Sequence, residues 1–349
     1  MTRFERDSSS SQPQISLRPG PFNAITDLKG IRVGHFTNLE QATGTTVLLF
    51  DGDTVAGVDV RGASPGTRET ELLRPENLIE HIHALVLSGG SAYGLEAATG
   101  VMRWLEERGI GFDLGEGRTV PIVPAAVLFD LGRGGDWTGR PDANYGLEGA
   151  RAAKSGPLEQ GNVGAGTGAA AGVLKGGMGT ASTVLEDGLT VGALVALNSG
   201  GQVFDPRTGR LYAEFLGLEG EFGPLEPLDL PRLPPPNVPR AGQNTTLGVV
   251  ATNARLSKAQ ASKVAQMAHD GLARAIRPAH TLFDGDVVFA LSTGEVALEG
   301  PAQLSLLGAI AADTLSRAIL HAVLSAESIP GHPAYRDMVM KNGQKTSPG

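Results

Sequence analysis

The sequence predicts a layered α/β fold, and three observations carry that prediction. From Ile25 to Leu128, short β-branched runs alternate with Gly and Asp turns, as sheet strands do. Two long segments near the C-terminus, Ser257–Ala275 and Pro301–Leu324, repeat apolar residues at helical spacing. Between and before them lie the short apolar runs Leu247–Thr252 and Val287–Leu291. Strands alternating with helices of this length imply a sheet covered by helices.

The elements follow in order. Strands are expected at Ile31–Val33, Thr45–Phe50, Thr54–Val60, His83–Leu87 and Val120–Leu128. A helix over Ser91–Arg108 places Leu95, Met102 and Leu105 near one face and stops at Gly109. Leu189–Leu197 reads as a core strand. Gly217–Gly242 is rich in proline (Pro231, Pro234, Pro235, Pro236, Pro239), so it forms neither helix nor sheet interior. It is expected to be a semi-rigid connector, proline-dense over 224–242, ending just before Gln243–Asn244. In the helix that follows Leu247–Thr252, Ser257 and Gln260 have capping-box spacing, and Val264, Met267, Ala268, Leu272 and Ala275 share a face. The last helix presents Leu307, Ile310, Ala311, Leu315, Ala318, Ile319 and Ala322 in the same way. Residues 1–20 are expected to be a loose N-terminus and 327–349 a tail.

Composition narrows the function. Hydrophobic residues make up 41% and charged residues 19%, as in globular proteins. The 49 glycines are about twice the usual share, so many turns and close backbone approaches are expected. A net charge of −8 without a Lys/Arg run excludes a polyanion footprint, hence nucleic acid. The chain has no Cys, which removes disulfides, thiolate metal sites and thiol nucleophiles. The first 20 residues are polar, and no apolar stretch is long enough to span a membrane. A cytoplasmic protein without membrane, cofactor or metal is expected.

Several constellations bear on chemistry. In Ala241–Thr252 (AGQNTTLGVVAT) an exposed connector meets a small Asn–Thr pair and then a buried strand. A Thr hydroxyl at such a junction can attack the preceding carbonyl. Hydrolysis of the resulting ester frees an α-amine of pKa about 8, able to act as base for that same hydroxyl. The bland alternative is a strand start at Thr245. Asp284–Gly285–Asp286 precedes a strand, where two carboxylates could orient an α-ammonium group; an exposed Asp–Gly turn or a divalent-metal site are the other readings. Lys175, in a glycine-rich stretch, and Asn198, ending an apolar run, are each able to donate to an oxyanion, or are a surface Lys and a turn Asn. Gly164–Ala169 (GAGTGA) fits a dinucleotide fingerprint, yet no strand precedes it. Gly89–Tyr93 resembles a nucleophile elbow but has Tyr93 where a second Gly belongs.

Taken together these residues resemble the DmpA-type self-processing aminopeptidases, a family that includes β-peptidyl aminopeptidases, L-aminopeptidase/D-esterases and nylon-oligomer endohydrolases. The resemblance spans roughly residues 25–325 and rests on GIRVGH (30–35), TGTT (43–46), RGASPGTRET (61–70), LSGGSAYGLEAA (87–98), 161–172, GQNTTLGVVATNAR (242–255) and HTLFDGD (280–286). It implies an αββα sandwich resembling N-terminal nucleophile hydrolases, cut between Asn244 and Thr245 into an α chain (21–244) and a β chain (245–326) that stay together. It further implies Thr245 as nucleophile, Asn198 as oxyanion donor, Lys175 and the pair Asp284 and Asp286 as site residues, and Tyr145 as counterpart of the family's active-site tyrosine. Thr245 and the Asp pair match the nylon-oligomer branch, whereas many aminopeptidases carry Ser and Ser-x-Glu there. The implied substrate is a small peptide, amino-acid amide or ω-amino-acid oligomer, and the implied assembly a dimer or tetramer of processed pairs. Acyl transfer of the ornithine acetyltransferase kind and a non-catalytic binding sandwich are the competing expectations.

Overall fold

The computed structural model describes residues 16–235 and 244–340. Residues 1–15 of the expected loose N-terminus, 236–243 of the connector and 341–349 of the expected tail lie outside the described residues. Ten strands pair, nine along one continuous path and β2 beside β3 off it: β1 (Leu17–Arg18), β2 (Ile31–Asn38), β3 (Thr43–Val60), β4 (Gly66–Arg68), β5 (Ile82–Ser88), β6 (Ala125–Val127), β7 (Gly177–Leu185), β8 (Thr190–Leu197), β9 (Leu247–Ala254) and β10 (Val287–Val296). The order β1-β7-β8-β9-β10-β3 makes one half, and β3 then continues into a second half with β2, β5, β6 and β4.

Two strands expected at Thr45–Phe50 and Thr54–Val60 are therefore one. Its first half pairs with β2 and β5 and its second with β10, with a register shift between Leu49 and Thr54 where Asp51–Asp53 are exposed. An irregularity of this kind bends a strand, and the bend lets β3 serve both halves.

Side-chain alternation assigns the layers. Leu48, Phe50, Leu85 and Leu87 point inward to meet Leu194, Ala196, Leu247, Val249, Val287 and Phe289 in one core between the halves. Their neighbours Val47, Leu49, Ala84 and Val86 face outward beneath helices α1 (Ala97–Glu106) and α2 (Ala143–Arg151). On the opposite side, Ala193, Val195, Val250, Val288 and Ala290 face helices α3 (Lys258–Ala275) and α4 (Pro301–Ser325). The result is an αββα sandwich, as expected. Strands β9 and β10 run parallel, joined through α3, and α4 is apolar on most of its circumference because it packs on β7 and β8 and beside α3.

Several expectations change. The segment Ser91–Glu96 is a 3-10 turn, and the α-helix begins at Ala97 and buries Val101, Trp104 and Leu105. Strand β7 (GMGTASTVL) was legible only as a glycine-rich stretch, yet it is almost wholly buried. A Cβ on Gly179 would collide with the Ala318 carbonyl of α4, so glycine there lets helix and sheet touch. Helix α2 also escaped the periodicity, although Asp142 caps it by accepting from the amides of Asn144 and Tyr145. Residues 16–20 are not loose: Leu17 and Arg18 extend the sheet beside Leu185 and Val184.

Residues 327–340 are likewise no tail. Lys175 N donates to Pro333 O at 2.8 Å, Asp229 N to Met338 O at 2.7 Å, and a fifth helix, α5 (Tyr335–Met338), buries Tyr335 against the core. No helical or strand period announces this segment, because the hydrogen bonds that anchor it to the rest of the fold join it to residues more than a hundred positions earlier.

Gly179→Ala is expected to destabilise the protein by about 1–3 kcal/mol, the usual cost of forcing volume into a packed contact. Gly52→Ala, where a Cβ meets nothing within 4 Å, is expected to change stability by under about 0.5 kcal/mol. Urea denaturation of both variants checks the pair; equal midpoints would contradict the close helix–sheet approach.

Candidate active site

The ladder between β8 and β9 ends at the pair Ala196–Leu247, and one further bond continues it. Thr245 N donates to Asn198 O at 2.6 Å, which seats Thr245, only 3% exposed, at the mouth of the two central strands. Asn244 lies alongside Asp284 in a parallel bridge. Its carbonyl oxygen receives two donors, Gly285 N at 2.9 Å and the Thr245 hydroxyl at 2.6 Å. A Cβ on Gly285 would lie 2.7 Å from Thr245 Oγ1, so glycine is required for the amide and the hydroxyl to share this acceptor.

The two acids hold that arrangement. Asp286 accepts from Thr246 N at 2.8 Å through Oδ1 and from His280 Nδ1 at 2.8 Å through Oδ2. Asp284 accepts from Gly200 N at 3.0 Å through Oδ1, and from Thr281 N at 3.0 Å and the Thr281 hydroxyl through Oδ2. Both are buried, which departs from the reading of an exposed Asp–Gly turn. Each of the four oxygens accepts at least one hydrogen bond. Asp286 thereby fixes the residue after Thr245, and Asp284 fixes the chain two residues beyond Asn198.

Asn198 is buried, and its amide is tied at both ends. Oδ1 accepts from Arg133 at 2.7 Å and from Ala170 N at 3.0 Å, while Nδ2 donates to Phe129 O at 3.2 Å. Ala170 pairs in turn with Lys175 in a two-stranded ribbon. Lys175 Nζ, fully buried, donates to Gly166 O at 3.0 Å and Gly176 O at 3.1 Å. Burial pushes its ammonium down to about 7; the Arg133 charge adds to this and Asp130 opposes it. Burial likewise pushes Asp130 up to about 6, against the hydrogen bonds from Gly90 N and the Thr43 hydroxyl. His332 is lowered to about 4 by burial and then by the charges of Arg133 and Lys175.

The structure thus brings Thr245, Asn198, Lys175, Asp284 and Asp286 into one connected set. No hydrogen bond among the described residues joins Tyr145 directly to it. The phenol sits on α2, accepts from Asn38 at 2.8 Å and packs on Phe36, with ring centroids 4.5 Å apart. The aromatic residue that adjoins Asn198 is Phe129, through its carbonyl. Within GAGTGA, Gly164–Gly166 forms a buried 3-10 turn, and the Gly166 and Gly168 carbonyls accept from Lys175 and Arg133. Sequence reasoning missed Asp130, Arg133 and the Gly285 amide. Only Gly285, flanked by two acids, carried a local signal.

The layers define the class first. The solved structure described as an l-aminopeptidase d-ala-esterase/amidase from Ochrobactrum anthropi, a variant of the N-terminal nucleophile hydrolase fold, matches with a TM-score of 0.71 over 91% of this chain and 92% of that one, at 23% identity. The profile of peptidase family S58 matches residues 23–336, and the chain belongs to that family. It is a hydrolase acting on peptide or amide bonds. An uncharacterized aminopeptidase of Mycobacterium tuberculosis (strain H37Rv) is 50% identical over 346 residues, covering 90% of this chain and 98% of that protein. A 6-aminohexanoate-oligomer endohydrolase of a Kocuria species is 31% identical, covering 85% and 84%.

Lys175 gives the site a pH signature. Its folded pKa of about 7 lies below the ordinary 10.5, so below pH 7 it is charged in both states and the cost of burying that charge is fully present. Between about pH 7 and 10.5 the unfolded chain holds the extra proton, so stability contributed by this group rises with pH. Lys175→Met is expected to flatten that rise relative to the parent, as measured by denaturant midpoints from pH 6 to pH 10. A parallel pair of curves would show Lys175 to be charged in the fold.

Proposed function

We propose that this chain is a self-processing amidohydrolase that cuts its own Asn244–Thr245 bond and then uses Thr245 as an N-terminal nucleophile. The observation that carries the reading is the Asn244 carbonyl oxygen, held between the Gly285 amide and the hydroxyl of the buried Thr245 in a partly buried setting. Attack of Oγ1 on that carbonyl carbon makes a tetrahedral oxyanion, for which the Gly285 N–H is the positioned donor. Collapse breaks the C–N bond and protonates the departing nitrogen, leaving an ester between Asn244 and the Thr245 oxygen. Water then hydrolyses the ester to a C-terminal carboxylate on Asn244 and a free α-amine and hydroxyl on Thr245.

In turnover the α-amine, beside Asn198 O, takes the hydroxyl proton as Oγ1 attacks a substrate amide carbonyl. That proton passes to the leaving amine, and water releases the acyl group from Thr245. Asn198 Nδ2 is the oxyanion donor of this second reaction, an assignment supported by the occupation of Oδ1 by two donors. The resemblance in sequence to proteins described as aminopeptidases and 6-aminohexanoate-oligomer endohydrolases supports small peptides, amino-acid amides or ω-amino-acid oligomers as substrates. Because β9 lies between β8 and β10, the two fragments would share one sheet and remain together, and assembly into a dimer or tetramer of such pairs belongs to the same proposal.

Intact mass tests the first step. The parent is expected to yield fragments ending at Asn244 and starting at Thr245, whereas Thr245→Ala stays a single 36.1 kDa species less the lost side-chain mass and Thr245→Ser still cleaves. A cleaving Thr245→Ala protein would sink the reading.

Asp286→Asn turns an amide N–H toward either Thr246 N or His280, setting donor against donor. Self-cleavage is expected to slow by an order of magnitude or more, in line with about 1–3 kcal/mol for an unpaired buried donor. Time courses of fragment appearance measure this, and an unchanged rate would relieve Asp286 of any role in seating Thr245.

A further inference from the structure

The connected set contains one cation that neither the resemblance nor the motif reading singled out. Arg133 lies in the loop between β6 and α2, and NH1 reaches two acceptors, Asn198 Oδ1 at 2.7 Å and Gly168 O. An Asn side chain has two edges of nearly equal shape, one donor and one acceptor, and its neighbours decide which faces where. Here two N–H donors, Arg133 and Ala170, converge on Oδ1, and a carbonyl, Phe129 O, meets Nδ2. Reversing the amide would set Nδ2 against both donors and Oδ1 against a carbonyl. Of these partners, only Arg133 brings a full charge, and a charge-assisted hydrogen bond is about twice as strong as a neutral one.

We infer that Arg133 is a positioning residue of the active site: its guanidinium locks the Asn198 amide with Oδ1 turned away and Nδ2 presented as the donor edge. This rests on the proposed role of Asn198 as oxyanion donor. The same contact draws electron density toward Oδ1, which makes the Nδ2 hydrogens better donors to a developing negative charge. Asp130 forms no ion pair with the guanidinium among the described residues; its oxygens accept from Gly90 N and the Thr43 hydroxyl, and its charge supports that of Arg133 only from a distance. The positive charge of Arg133 therefore remains directed at Asn198 and the Gly168 carbonyl. Its Nε and second amino group form no hydrogen bond among the described residues, so the anchoring falls on NH1.

Hydrolysis of an amino-acid p-nitroanilide by the processed enzyme tests the inference, with Arg133→Met, Arg133→Lys, Asn198→Ala and the double variant Arg133→Met/Asn198→Ala. Should processing fail in a variant, the two fragments are co-expressed from Met–Thr245, with the initiator Met removed, so that turnover is still read. Arg133→Met is expected to lower kcat about ten- to hundredfold with KM little changed, the size of a lost charged hydrogen bond. Arg133→Lys, keeping the charge and one donor, is expected to recover part of the loss. In the Asn198→Ala background, Arg133→Met is expected to cost little further, because its effect runs through that amide. Multiplicative losses in the double variant, or a change confined to KM, would overturn the positioning role while leaving Asn198 as donor. Full kcat in Asn198→Ala would instead remove the donor assignment on which the inference rests. Equal denaturation midpoints for parent and Arg133→Met separate positioning from mere destabilisation, and if Arg133→Met fails to fold, Arg133→Gln, which removes the charge, overturns the proposal by itself if it keeps a parental kcat and KM.

Discussion

The hydrogen bond from Thr245 N to Asn198 O is the constraint on which the site depends. It continues the β8–β9 ladder one step past its last pair and so converts a strand beginning into a fixed coordinate for a hydroxyl. Once that step is set, the side chain of residue 245 has little freedom: the acidic turn lies on one side and the end of β8 on the other. The Thr246 amide, held by Asp286, removes the remaining slack on the strand side. The acids therefore act through the backbone, as acceptors that orient N–H groups, and their burial is tolerable because each oxygen is satisfied.

Burial explains the electrostatics around Asn198 as well. Lys175, Asp130 and His332 are all displaced toward their neutral forms by loss of water, and the residual couplings among them are smaller. Arg133, lowered by burial only to about 10, is the member of the group that keeps its proton at neutral pH. A site of this composition holds one dependable positive charge next to the Asn198 amide and several groups poised near neutrality, with Lys175 able to change its charge near pH 7.

The sandwich supplies the rigidity this requires. The inner faces of the two sheet halves meet in one core, each outer face carries a helical pair, and β3 belongs to both halves. A strand shared between the halves ties them covalently, while the close seating of α4 on Gly179 ties helix to sheet. Residues 327–340 close over this assembly by pairing with 227–229 and with Lys175 N. The ribbon that carries Lys175 is thereby pinned from both sides, which fixes where its buried Nζ finds its two carbonyls.

By itself the sequence determined the layered fold class, the β9–α3–β10 unit with the Ser257 capping box, and the candidacy of Thr245, Asn198, Lys175, Asp284 and Asp286. These were legible because apolar period, cap residues and ordered motifs are local or strictly ordered along the chain. Only the tertiary structure decided the rest. The burial of β7 depends on what lies above Gly179, and the ordering of 327–340 depends on partners far back in the chain. The satisfied acids, the contacts of Tyr145 with Asn38 and Phe36 and the contact of Arg133 with Asn198 depend on loops converging from four parts of the sequence. A hydrogen bond between residues 65 positions apart leaves no periodic trace, since the energy that selects it comes from removing both partners from water together, and that happens only once the sheets have packed.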